Sequence, residues 1–72
     1  MIKISVLIAG RHATSISLEE DFYQEFINIA KEKNLSRNEL VTIIDRERTV
    51  DNLSSAIRLY VLQYYKNKTT DN

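Results

Sequence analysis

Glu19, Glu20, Asp21 and Glu25 place four carboxylates within seven residues. Such a cluster could do acid–base work or hold a divalent cation. The same residues open a stretch with helical period, and a helix dipole favours acids in the first turn of any protein. That accounts for them without a catalytic role. His12 is the one histidine, and cysteine is absent. A structural zinc site, a cysteine nucleophile and a disulfide framework are thereby excluded. The alternating phase of His12 with Thr14 and Ile16 predicts a packed or rim residue on a half-buried strand face. One glycine, Gly10, is too few for a phosphate-cradling loop. Neither an enzyme nor a metal or other cofactor is expected.

Arg11, Ala13, Ser15 and Ser17 carry a different chemistry. If Ile16 and Leu18 point into a core, these four point out together. Arginine reads guanine through two hydrogen bonds, serine can donate to or accept from any base, and alanine can meet a thymine methyl. Residues 1–18 contain Lys3 and Arg11 and no acid, which suits close approach to phosphates. Exposed strands favour Ser and Thr in any case, so periodicity alone does not separate a reading face from a solvated one.

Ile2, Ile4, Val6 and Ile8 alternate with Lys3, Ser5, Leu7 and Ala9. His12, Thr14, Ile16 and Leu18 alternate with the four outward residues, so residues 1–18 read as strand. Gly10 marks either a bend between two strands or a kink within one. Phe22, Phe26, Ile29 and Ala30 then form one stripe of a helix over 19–33, with basic Lys31 and Lys33 at its end. Asn34 suits a left-handed terminator. Ser36 and Glu39 form a capping box that opens a helix over 36–48, with Leu40, Val41 and Ile44 on one face. A third helix is predicted over 54–66, with Ser54 as its cap and Ala56, Ile57, Tyr60, Val61 and Tyr64 as its stripe. Leu59, Leu62 and Tyr65 widen that stripe beyond what a surface helix needs, which points to burial between subunits. Residues 67–72 read as a polar tail. The repeated Asn-Leu-Ser at 34–36 and 52–54 reads as a helix stop, a staple and a cap used twice.

The whole chain of 72 residues is expected to be one domain. A chain this short buries only about 60% of its unfolded surface, so oligomerisation is the expected support. Met1–Gly10 is shorter than the apolar core of a signal peptide, and no run is long enough to span a membrane. A cytoplasmic location is expected. A formal net charge of zero argues against a simple polycation.

An unpaired strand invites pairing. Joined antiparallel about a two-fold axis, two copies would make a ribbon that fits the major groove, about 12 Å wide. The helix beginning at Ser36 would offer its N-terminal amides to a phosphate, flanked by Lys31, Lys33 and Arg37.

This order of elements resembles the ribbon-helix-helix family of bacterial DNA-binding dimers. The residues that carry the resemblance are Thr14-Ser15-Ile16-Ser17-Leu18, Phe22, Phe26, Ile29-Ala30, Leu35-Ser36, Leu40, Val41 and Ile44. More narrowly, Gly10–Glu19 and Asn52–Arg58 resemble a group of short bacterial ribbon-helix-helix proteins of unassigned role. The resemblance implies an α+β homodimer: an intersubunit antiparallel ribbon from the N-terminal strands, two core helices and an appended third helix. It implies base contacts from Arg11, Ala13, Ser15 and Ser17, and phosphate contacts from Ser36, Arg37 and Lys33. Ala13 stands where the narrower group often has a basic residue, which weakens direct readout. Either Ser36 or Ser54 could open the phosphate-clamping helix.

The expected function is a sequence-specific DNA-binding homodimer, most simply a nucleoid-associated transcriptional repressor, with double-stranded DNA and a second copy as partners. The alternative is a dimeric interaction module that docks a protein on the third helix. An antitoxin role is disfavoured, since the few polar residues after Tyr65 are too short to wrap a toxin.

Overall fold

Two strands, β1 (Ile2–Ile8) and β2 (His12–Leu18), are followed by α1 (Glu20–Glu32), α2 (Arg37–Glu47) and α3 (Leu53–Thr70). The structure is a computed structural model that describes residues 1–70, and the side chains of residues 1–68. Gly10 proves to be a bend between two strands. Ala9 and Gly10 both have positive φ, 55° and 71°, and the Arg11 amide donates to the Ile8 carbonyl at 3.1 Å. This loop of three residues, Ala9–Arg11, joins a tight turn with two left-handed residues to one extra residue, Arg11. It fixes an antiparallel register in which Ile2 faces Leu18, Ile4 faces Ile16 and Ile8 faces His12. β1 and β2 pair within one chain, whereas the ribbon expected from sequence is one formed between two copies.

The even-numbered residues of the hairpin face the helices. Val6, Ile16 and Leu18 are buried there with Phe26, Ile29 and Ala30 of α1, Leu40, Val41 and Ile44 of α2, and Ala56, Ile57 and Val61 of α3. Full burial of a large aliphatic or aromatic side chain is worth about 1.5–3 kcal/mol, so this shared cluster is what holds three helices against one face of a two-stranded sheet. His12 departs from expectation. It is exposed, because at the turn end of the ladder its cross-strand partner Ile8 takes the packing against the core.

The helix ends follow the local chemistry. Asn34 has φ 58°, and the Leu35 and Asn34 amides donate back to the carbonyls of Ala30 and Lys31 at 2.9 and 3.1 Å, a left-handed C-terminal stop. Ser36 and Glu39 form the reciprocal capping box at the start of α2. The expectation for α3 is corrected. Asn52, not Ser54, is the cap: its Oδ1 accepts from the Ser55 amide at 3.0 Å, and its carbonyl accepts from the Ala56 amide. The two Asn-Leu-Ser triplets therefore have different roles, the first ending one helix and capping the next, the second starting a helix at its first residue. At the other end, α3 runs on through residues 67–70, where a polar tail is expected from sequence; residues 71–72 lie outside the described residues. Hydrogen bonds from Tyr64 and Lys68 to Glu32 and from Tyr65 to Glu25 tie these last turns to α1. Leu59 and Leu62 stay exposed, at 44% and 52%.

Candidate nucleic-acid interface

The odd-numbered residues of the hairpin form its outer face. Lys3 stands opposite Ser17, Ser5 opposite Ser15, and Leu7 opposite Ala13. All are exposed except Ser17, which is half-buried. At about 3.4 Å per residue these rows lie about 7 Å apart. The face contains hydroxyls, one ammonium group and two apolar side chains, and no carboxylate.

Each outer edge of the hairpin is engaged by a helix. On β1, the Leu7 amide donates to Asn38 Oδ1 at 3.0 Å and the Ala9 amide to Thr42 Oγ1 at 2.9 Å. Arg37 Nη2 donates to the Ser5 carbonyl at 3.4 Å. On β2, the Ser17 amide donates to Ser54 Oγ at 3.0 Å, and Arg58 Nη2 donates to the Ser17 carbonyl at 3.3 Å. Arg58 also pairs with Glu19, Nε to Oε1 at 2.7 Å, and its guanidinium holds the Glu19 carboxyl below the usual carboxylate range. The acid that directly follows β2 is thus paired with a cation. Between Gly10 and Ser17, the backbone groups of Ala13 and Ser15 on the outer edge of β2 meet no partner among the described residues.

The start of α2 is more occupied than a free clamp. Ser36 Oγ accepts from the Glu39 amide at 3.1 Å, and Glu39 Oε1 accepts from the Ser36 amide at 2.7 Å. That bond to the Ser36 amide keeps the Glu39 carboxyl below its usual range, so a negative charge stands at the helix start. The amides of Arg37 and Asn38 have no partner among the described residues. Arg37 is half-buried and donates from Nη1 to the Tyr23 hydroxyl at 3.2 Å. It therefore links α1, α2 and β1. Lys33 points away from this end, its Nζ 5.7 Å from the centre of the Tyr64 ring.

Of the residues expected to contact bases, Ala13 and Ser15 lie side by side on the open face. Arg11 is exposed in the turn just before β2, and Ser17 is pinned beneath α3 through its backbone. Of the residues expected to contact phosphate, Arg37 reaches the ribbon edge, Ser36 is engaged in its cap and Lys33 is directed towards α3. Sequence reasoning missed Lys3, Ser5 and Leu7, which share the face of Ser15. Their odd-numbered phase was visible, but their juxtaposition with β2 depends on the turn.

A two-stranded antiparallel ribbon followed by capped helices that share one core defines a class of small nucleic-acid-binding domains. A sequence model of that class, the ribbon-helix-helix domain, matches residues 1–65. The chain belongs to the ribbon-helix-helix family. Domains of this family are DNA-binding and non-enzymatic, and they generally act as dimers. Neither the curated proteins nor the solved structures yield a match. Among the described residues, no helix is long and apolar enough to cross a membrane.

Proposed function

We propose that the protein is a sequence-specific DNA-binding homodimer that represses transcription by competing for promoter DNA on the bacterial nucleoid, in the cytoplasm. The observation that carries this reading is the outer face of the hairpin. It is two strands wide, exposed except at half-buried Ser17, and free of acid, and its Ser5, Ala13, Ser15 and Ser17 side chains are short enough to let the backbone approach base edges. A two-stranded ribbon is a shape the major groove admits. Arg11, Ala13, Ser15 and Ser17 supply base contacts in this reading; Ser36, Arg37 and Lys33 supply phosphate contacts. Dimerisation draws support from the family and from the exposed Leu59 and Leu62 of α3.

Fluorescence anisotropy with duplexes selected from a random pool tests the reading. Arg11→Ala and Ser15→Ala relax the sequence preference. Arg37→Ala weakens binding to every sequence and flattens its dependence on salt. Sequence-blind changes from all three variants contradict it.

The exposed Leu59 and Leu62 favour a second reading, in which α3 docks a protein and DNA affinity is incidental. Purification from native extract separates the two, since a stoichiometric protein partner with no DNA retained supports the module.

A further inference from the structure

The outer side of α3 sets apolar knobs beside an apolar cavity. Leu59 and Leu62, three residues apart on one side of the helix, are 44% and 52% exposed. Next to them a cavity of about 210 Å³ opens between the end of α2, the α2–α3 connection and α3. Ile44, Val50, Ala56, Leu59 and Tyr60 line it, with Glu47 also on its wall. That is smaller than the roughly 300–1,000 Å³ of small-molecule sites, so the cavity suits one apolar side chain. The charges around it are unmatched. Glu47 and Lys66 are both exposed, and neither belongs to an ion pair among the described residues. Arg48, which adjoins Glu47 in the chain, is turned instead to Asp45 at 2.9 Å and to the Val50 carbonyl at 2.8 Å. Lys66 follows Leu62 by four residues and so shares its side of the helix.

We propose that two copies join through this side of α3, antiparallel about a two-fold axis, each seating Leu62 in the partner's cavity and carrying Lys66 to the partner's Glu47. Knob and cavity lie side by side on one surface, which is what a self-complementary contact requires, since each copy gives what the other receives. Exposed leucines beside an open apolar cavity mark an interaction surface. The charges choose its occupant. A partner of one charge sign would match either Glu47 or Lys66, whereas a second copy matches both. The contact deepens the homodimer part of the reading above. No hairpin residue lines the cavity, so the outer face of the hairpin stays open, and copies that also join through their strands can still make the contact.

Sedimentation equilibrium of the purified full chain, without DNA, tests the contact. Leu62→Lys is expected to halve the mass of the assembly and to raise its dissociation constant roughly a hundredfold, since two buried leucines are lost. Glu47→Lys and Lys66→Glu are each expected to raise that constant roughly tenfold, and the double variant to restore it. All three positions are exposed, and thermal melts of each variant confirm that the fold is kept. A mass that Leu62→Lys leaves unchanged overturns the contact and leaves the DNA-binding reading standing. A mass halved by Leu62→Lys, with no rescue in the double variant, overturns the antiparallel seating. A pure chain that stays monomeric and associates only with a different protein overturns the contact as well. An assembly that meets every expectation but binds no duplex keeps the contact and removes the DNA-binding reading.

Discussion

The hydroxyl of Ser54 accepts the amide of Ser17 at 3.0 Å, so the second residue of α3 closes the outer edge of β2. Removing that acceptor leaves a partly buried amide unpaired. Ser54→Ala is expected to destabilise the fold by about 1–3 kcal/mol. Asn52→Ala, which removes the cap of α3, is expected to cost about 1 kcal/mol, and Asn52→Asp to recover most of it. Urea titrations with a common slope check both. A neutral Asn52→Ala would contradict the assignment of the cap.

Ala9 is the first of two left-handed residues in the hairpin turn, at φ 55°. A Cβ is disfavoured there, whereas Asn-Gly is the preferred pair for this turn. Ala9→Asn is expected to stabilise the protein by about 0.5–1 kcal/mol, raising the melting temperature by several degrees for a domain of this size. Ala9→Val is expected to lower it. Thermal unfolding followed by circular dichroism reads both.

These two sites also mark how far the sequence could be read. The alternation of Ile2 to Ile8 and of His12 to Leu18, and the helical spacing of Phe22, Phe26 and Ile29, are local patterns imposed by one-sided burial. The capping box at Ser36 and the stop at Asn34 are local too. Ser54 and Asn52 are both able caps, and only the approach of β2 to α3 gives Ser54 a different task. Ala9 is not a residue that announces a tight turn, so the register stayed open and Lys3, Ser5 and Leu7 could not be set opposite Ser17, Ser15 and Ala13. The bonds of Tyr64 and Tyr65 to Glu32 and Glu25 join residues 32 and 40 positions apart. No local pattern encodes such contacts, which is why α3 outruns its expected end.

The acid and alkaline limits of stability have separate sources. The Glu19 carboxyl is lowered chiefly by its hydrogen bond with Arg58, Glu32 chiefly by Tyr64, and Glu39 chiefly by the Ser36 amide. Their charged forms contribute stability that is complete above the ordinary carboxylate range and is lost as pH falls through the lowered values. The Tyr65 phenol is pushed up to about 12, chiefly by donating to Glu25. Its contribution is complete below the ordinary tyrosine value of about 10 and is lost as pH rises through about 12. Absorbance titration of the four tyrosines is expected to show a late step near 12, absent in Tyr65→Phe. The acid transition is expected to be shallower in Arg58→Met.

Leu59 and Leu62 share the uncovered side of α3. If they are buried between two copies, Leu59→Lys and Leu62→Lys shift the protein towards monomer in sedimentation equilibrium while its melting curve keeps its cooperative form. Unchanged mass in both variants would place the dimer contact elsewhere.

The most direct test of the account is a nuclear magnetic resonance titration of the labelled full chain with a selected duplex, following the backbone amides. The account predicts that the largest shifts fall on Lys3, Ser5, Leu7, Ala13 and Ser15, with Leu59 and Leu62 little moved. Shifts concentrated on α3 and absent from the hairpin, or no shifts at all, would contradict it.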